Sequence, residues 1–81
     1  MNPFIGEIRL FPYVYVPTGW AACDGSVLQI NQNVPLFSLL GTAFGGDGRT
    51  TFALPDLRSK VPLPNQGTYC IATQGVFPSR D

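Results

Sequence analysis

Residues 31–58 constrain the fold of this chain more than any other part of it. They read NQNVPLFSLLGTAFGGDGRTTFALPDLR and combine an apolar helical pattern, a glycine-rich loop, a β-prone run and a proline turn. Glycine and proline at such short spacing interrupt helices and strands after a few residues. The segment therefore predicts a small domain of short elements joined by tight turns.

The first part of this segment predicts a two-turn helix. Asn31 or Asn33 is suited to the N-cap, and Pro35 fits the first turn, where a missing N–H is harmless. Gly41 suits the left-handed C-cap that ends such a helix. The helix has a broad apolar face formed by Leu36, Phe37, Leu39 and Leu40. Because so short a helix is unstable alone in water, we expect it to pack on a sheet.

The glycine-rich loop consists of Gly45, Gly46, Asp47 and Gly48. A phosphate-binding loop has Lys after its last glycine, whereas Asp47 stands there and has the wrong charge. The dinucleotide pattern GxGxxG is absent, and a calcium loop needs several spaced carboxylates. The loop is interpreted as a tight turn set by its backbone, and a glycine with positive φ is expected at Gly46 or Gly48.

Other turns divide the rest of the chain. The Asp24-Gly25 pair predicts a hairpin between strands at residues 21–23 and 27–30. Residues 50–54 are β-prone and end at Pro55 and Asp56, which predicts an Asx-type turn with Arg58 paired to Asp56 or to a carbonyl. Residues 61–67 are interpreted as a constrained linker, and residues 69–73 as a final short strand.

Trp20 is the only tryptophan and follows the turn at residues 17–19. It is interpreted as a plug at the base of the core; the alternative is a platform on which a sugar stacks. Tyr13 and Tyr15 are the other candidates for such stacking.

Residues 5–16 are predicted to be extended, either as an edge strand or as a strand with a break at Pro12. The PYVYV portion is apolar or amphipathic on both faces, and Pro12 removes a donor from the strand ladder. An apolar edge favours aggregation unless another element or chain covers it. The candidate subunit interface therefore comprises Leu10, Phe11, Tyr13, Val14, Tyr15 and Val16, together with Ile71, Val76 and Phe77 near the C-terminus.

Composition points to assembly rather than to catalysis. The 81 residues are 44% hydrophobic and only 12% charged, against a usual charged share of about 25%. The alternatives are a compact, poorly charged monomer and burial against other copies, of which assembly is favoured. Lys and Arg do not cluster as nucleic-acid binding requires, no apolar run is long enough to span a membrane, and no standard secretory signal is visible.

The two cysteines and the lack of histidine limit the chemistry further. Cys23 and Cys70 match neither a redox CxxC pair nor a zinc site, so they form a disulfide, within or between chains, or remain buried thiols. No histidine is present, which argues against transition-metal chemistry. No catalytic residue, cofactor or metal site is predicted.

Three motifs together resemble those of the phage tail collar domain. Residues 17–25, with PTGW and CDG, are similar to its PxGWxxCDG opening. Residues 36–48 resemble its LFSLLGTxFGGDG centre, and residues 50–58 its TTFxLPDLR close. The two chain ends, FIGEIRLF and IATQGVFPSR, look like those of the microcystin-dependent proteins, a bacterial group that carries this domain.

The resemblance implies a small α+β fold, mostly β, with short antiparallel strands and one short helix. It also implies a tail-fibre protein, often trimeric and involved in attachment, without catalytic residues. Family members are about twice as long and carry a histidine-containing middle segment, so this chain looks like a minimal version. We expect a single domain over residues 1–81, with a collar core at 1–64 and a linker and closing strand at 65–81.

The predicted function is that of a non-enzymatic structural protein that assembles with copies of itself into a homo-oligomer, such as a trimer, or a filament. The alternative is an adhesion module that binds a cell-surface glycan or receptor. Neither nucleic acid nor membrane insertion is expected. The predicted location is extracellular, in a virion tail or in a tail-derived or cell-surface fibre. Oligomer number, symmetry and export route are left open.

Overall fold

The computed structural model describes residues 3–12, 16–60 and 67–77. Its regular elements are β1 (Ile8–Phe11), β2 (Trp20–Ala22), β3 (Val27–Gln29), α1 (Val34–Leu40), β4 (Thr51–Ala53) and β5 (Thr68–Ala72). Single turns of 3-10 helix lie at Ile30–Gln32 and Arg58–Lys60. The predicted α+β fold of short antiparallel strands and one helix is confirmed. None of the helices in the described ranges is long and apolar enough to cross a membrane.

The strands form two sheets. β5 lies between β1 and β2 in a three-stranded antiparallel sheet, and β3 pairs with β4 in a second one. Opposite residues in the larger sheet include Ile8 with Ile71 on one side and Ala21 with Ile71 on the other. The predicted final strand is thus central to its sheet, because β1 and β2 each pair with β5.

The predicted hairpin at Asp24-Gly25 is wrong, since β2 and β3 belong to different sheets. The Asp24 carboxylate accepts a hydrogen bond from the Ser26 amide at 3.0 Å. Asp24 also forms a β-bridge with Asp56, and the Gly25 amide donates to the Pro55 carbonyl at 3.3 Å. These contacts direct the chain from one sheet to the other. In the structure β2 pairs with β5, and β3 pairs with β4.

The predicted helix is confirmed over Val34–Leu40, with Pro35 in its first turn. It ends where the Gly41 amide donates to the Phe37 carbonyl at 2.7 Å, and Gly41 has φ +57°. The predicted N-cap is Asn33 rather than Asn31, although no side-chain hydrogen bond caps the helix there. Asn33 occupies the N-cap position, but its side-chain amide donates to the Gln29 carbonyl at 3.0 Å instead.

The core lies between the three-stranded sheet, α1 and the small sheet. Its buried members are Ile5, Cys23, Leu36, Phe52, Leu54 and Ile71. The rings of Phe37 and Phe52 lie 5.4 Å apart and join the helix to β4. Leu39, expected on the apolar helix face, is 41% exposed, which corrects that prediction. Leu36, Phe37 and Leu40 make the contact with the core instead.

The N-terminal strand is shorter than predicted. Residues 5 and 6 form a turn, and β1 covers only Ile8–Phe11, ending just before Pro12. β1 is an edge strand, as Pro12 suggested. Tyr13, Val14 and Tyr15 lie outside the described residues, as does most of the linker predicted at residues 61–67.

Candidate interaction surface

The glycine-rich loop is closed by hydrogen bonds within the chain. The Asp47 carboxylate accepts from the amides of Thr51 at 2.9 Å, Arg49 at 2.8 Å and Thr50 at 2.8 Å, and from the Thr50 hydroxyl at 2.9 Å. These donors hold the pKa of Asp47 well below its ordinary value of 3.8. Hydrogen bonds to the charged form favour that form. Asp47 therefore orders the loop.

Gly46 is needed because the backbone passes very close to β4. It has φ +94°, and a Cβ atom there would lie 2.7 Å from the Thr51 carbonyl oxygen and closer still to the Phe52 Cα. Gly48 also has a positive φ, of +76°. The prediction of a tight turn set by its backbone, with positive φ at these glycines, agrees with this geometry.

The proline turn after β4 is likewise held by hydrogen bonds within the chain. Arg58 donates from Nε to Asp56 at 2.9 Å, from Nη2 at 2.7 Å, and from its backbone amide at 3.2 Å. The guanidinium lowers the pKa of Asp56 to about 2, helped by that amide. The Asx-type turn and the pairing of Arg58 with Asp56 are therefore confirmed. Pro55 is buried, and the ion pair lies at the surface.

Trp20 is not a core plug, and that interpretation is wrong. It stands opposite Ala72, whereas the next residue, Ala21, stands opposite the buried Ile71. Successive residues of a strand face opposite sides, so Trp20 lies on the sheet face away from Ile71. The Phe11 ring meets it edge-on at 5.0 Å, and the Arg9 guanidinium lies 5.9 Å from its ring centroid.

Cys23 and Cys70 are both free and buried. Cys70 pairs with Ala22, so the next residue, Cys23, has its side chain on the other face. Of the predicted alternatives, a disulfide or buried thiols, the structure has two buried thiols. Burial, aided by Cys70 and Asp24, raises the pKa of Cys23 to about 11, and burial also raises the pKa of Cys70. Both thiols are therefore poor nucleophiles.

No cluster of metal-ligating side chains occurs in the part of the chain that the structure describes. A small pocket of about 170 Å³ lies beside β3 and is lined by Gln29, Ile30, Asn31, Arg49 and Thr50. Its amide and guanidinium groups suit hydrogen bonding to hydroxyls or carboxylates rather than catalysis.

Large apolar side chains are exposed along the outer edge of β1 and beside the chain ends. We call Phe4, Ile8, Leu10, Val76 and Phe77 the β1 surface; each is between 42% and 55% exposed. Phe4 and Val76 form a parallel bridge, in which the Ile5 amide donates to the Val76 carbonyl at 2.9 Å. Ile8 shares a sheet face with Ile71, yet it lies at the edge, where the described core ends. These apolar groups therefore face solvent.

The predicted interface residues divide into three groups. Leu10, Val16, Val76 and Phe77 are exposed, while Phe11 is half-buried against Trp20. Ile71 is fully buried in the core, so its placement at an interface is wrong. Sequence reasoning missed Phe4 and Ile8. For Ile8 the sequence does hold a signal, because this apolar residue stands between the charged residues Glu7 and Arg9.

A charged pair adjoins the β1 surface. Arg9 Nε donates to Glu7 Oε2, and the Phe4 amide donates to Glu7 Oε1 at 3.2 Å. The side chains of Arg9 and Glu7 are 37% and 26% exposed. The hydrogen bond from Arg9 is the main cause that lowers the pKa of Glu7, and the hydrogen bond from the Phe4 amide lowers it further. Glu7 is thus held ionised directly before the strand that carries the exposed apolar residues Ile8 and Leu10.

The family model of the phage tail collar domain matches residues 6–62, more than two thirds of the chain. The chain therefore belongs to the phage tail collar domain family, as its motifs predicted. This is a structural family of phage tails and is not known for catalysis. Searches of curated proteins and of solved structures each gave no significant match. The family match ends before β5, so the strand that joins β1 to β2 lies outside it.

Proposed function

We propose that this protein is a non-enzymatic structural subunit that associates with copies of itself through the β1 surface. The product is a homo-oligomer or an extracellular fibre, in a virion tail or in a tail-derived structure. One observation carries the proposal: five large apolar side chains are about half exposed around one sheet edge of a small, weakly charged protein.

The physical argument rests on what that surface gains when it is covered. Removing apolar area from water contributes about 25 cal/mol per Å². A bare apolar edge strand exposes backbone donors and acceptors that pair readily with another strand. The chain has zero formal net charge at pH 7, so no long-range repulsion separates its copies. Membership in a family of tail structural proteins agrees with such a role.

Sedimentation velocity and electron microscopy of the purified protein test the proposal. We expect association as the concentration rises through the micromolar range, with rings, trimers or filaments in the micrographs. A stable monomer throughout that range would contradict self-association.

A matched pair of substitutions tests the location of the interface. Leu10→Asp places a charge on the β1 surface, and Val34→Asp makes a similar change at an exposed apolar residue at the start of α1. We expect Leu10→Asp to give a folded monomer and Val34→Asp to associate like the original protein. Equal association of the two variants would place the interface elsewhere.

Adhesion to a glycan is a second candidate, and the side chains around the pocket beside β3 favour it. Its amide and guanidinium side chains, from Gln29, Asn31 and Arg49, suit the hydroxyls of a saccharide. Trp20 is less suited to stacking, because Phe11 and Arg9 already pack on it. A glycan array should then show binding that Arg49→Ala abolishes while Trp20→Phe retains it; silence on the array would argue against adhesion.

A further inference from the structure

Among the described residues, β5 is the one strand that pairs with β1, and the backbone on the other side of β1 faces away from it. The Ala72 amide donates to the Glu7 carbonyl at 2.8 Å, and Arg9 stands opposite Cys70. In an antiparallel pair, residues that bond to the neighbouring strand alternate with residues whose amide and carbonyl point away. The Glu7 carbonyl and the backbone groups of Arg9 therefore point toward β5, while Ile8 and Leu10 direct their backbone groups outward, away from β5. The Glu7 amide donates to the Phe4 carbonyl at 3.0 Å.

The sequence around Ile8 is complementary to itself. Glu7 precedes Ile8 and Arg9 follows it. If two β1 strands pair antiparallel about a two-fold axis at Ile8, each Glu7 stands opposite the partner copy's residue 9, an arginine. With the pairing already present within each chain, four charges then alternate in sign. On the other face, the two Ile8 side chains cover one another.

Neighbouring registers lack this match. An axis at Arg9 opposes two arginines, and like charges directly opposite destabilise a strand pair. An axis at Leu10 sets Ile8 opposite Pro12, which has no amide proton to donate. An axis at Ile8 is the register in which opposite charges meet, and in it the two Ile8 residues exchange both of their backbone hydrogen bonds. Leu10 then stands opposite Gly6 of the other copy, whose amide already donates to the Ala72 carbonyl of its own chain at 2.9 Å, so the backbone pairing is centred on Ile8.

We infer that two copies of this chain join by antiparallel pairing of their β1 strands about a two-fold axis at Ile8, with Glu7 of each copy against Arg9 of the other. The contact continues each three-stranded sheet into the other and buries part of the β1 surface. This inference rests on the proposed self-association and specifies its geometry. Such a two-fold contact is closed, so a fibre needs a second contact between these dimers.

Charge exchange tests the pairing. Glu7→Arg brings like charges together at two places, and so does Arg9→Glu. Because each of the two cross-strand pairs changes by about 1 kcal/mol, we expect each variant to dimerise about thirtyfold more weakly. An equimolar mixture of the two variants should restore dimerisation. The double variant E7R/R9E should also dimerise with itself, and because it keeps the pairing within the chain it controls for misfolding.

Cysteine cross-linking tests the register. Directly opposed residues of a hydrogen-bonded pair have Cα atoms about 5.5 Å apart, which suits a disulfide. Under mild oxidation, Ile8→Cys should give a covalent dimer, while Leu10→Cys and the original protein, with its buried thiols, should not. A dimer from Leu10→Cys alone, or only from a mixture of the two variants, would overturn the register.

The results of these experiments distinguish pairing through β1 from self-association in general, on which this inference rests. If the original protein stays monomeric, self-association itself fails. If it associates, but Glu7→Arg and Arg9→Glu associate equally well, then β1 pairing is wrong and self-association through another surface stands.

Discussion

Residues 31–58 and the β1 surface differ in where their polar and apolar groups find partners. In the first region, Asp47 accepts four hydrogen bonds from its own loop, and Leu36 and Phe52 are fully buried. At the β1 surface, Ile8 and Leu10 are more than 40% exposed, and their backbone groups point away from β5. The first region therefore stabilises the fold of one chain, and the second is suited to contact with another chain.

The contrast explains why the most distinctive motif is not the proposed site of function. Its glycines and aspartates are committed to contacts within the chain: Gly46 lies against the backbone of β4, and Asp56 accepts hydrogen bonds from the amide and the guanidinium of Arg58. The β1 surface, by contrast, consists of exposed apolar residues that carry none of these turn motifs. Substitutions should therefore divide into those that unfold the chain and those that separate its copies.

The largest effect is expected from Gly46→Val. A β-branched side chain at φ +94° would collide with the backbone of Phe52, so the loop must open. We expect a loss of several kcal/mol, on the order of 4, which is most of the stability of a domain this small. Urea unfolding followed by Trp20 fluorescence measures it. Gly41→Ala is the control: its φ of +57° strains an alanine too, but nothing lies within 4 Å of a Cβ there, so its cost should be smaller by the collision with β4. Equal stability of Gly46→Val and the original protein would show that the loop is not held against β4.

The next effect comes from a pair of leucines. Leu36→Ala removes a fully buried side chain and should cost about 2–5 kcal/mol. Leu10→Ala, at an exposed position, should cost less than about 1 kcal/mol in the isolated chain but weaken association. Unfolding at a concentration below association, with sedimentation alongside, measures both quantities. Similar unfolding costs for the two variants would remove the distinction between the regions.

Low pH should lower the stability of the fold through two carboxylates of residues 31–58. The pKa of Asp47 is lowered and that of Asp56 is about 2, both from an ordinary 3.8. A lowered folded-state pKa gives stability that is present above the unfolded pKa and is lost as the pH falls below it. Stability should therefore decline as the pH falls from about 4 toward 2. Asp47→Asn should be less stable at pH 7 and show a shallower decline, whereas an unchanged pH profile would contradict the role assigned to Asp47.

The smallest effect is expected from Arg58→Lys. The ion pair is largely exposed, and surface ion pairs contribute little. Lysine keeps the charge but loses the two-pronged contact with Asp56, so the unfolding curve should shift only slightly. A large loss of stability would mean that Arg58 does more than tie its own turn.

Sequence reasoning succeeded where local chemistry decides the structure. Pro35 and Gly41 set the helix limits, and Asp56 with Arg58 set the turn, because the deciding contacts lie within a few residues. It failed where distant pairing decides. Asp24-Gly25 has ordinary hairpin chemistry, but β2 pairs with β5, which lies far along the chain. Ile71 looked like surface for the same reason, since only its central position in the sheet buries it.

Amide hydrogen exchange at two protein concentrations tests the central claim most directly. The amides of Phe52 and Ala53 should be protected at every concentration, because they lie in β4 at the core. The outward amides of Ile8 and Leu10 should exchange quickly in dilute protein and become protected when copies associate. Protection of Ile8 and Leu10 that does not change with concentration would contradict the claim that β1 is where two copies meet.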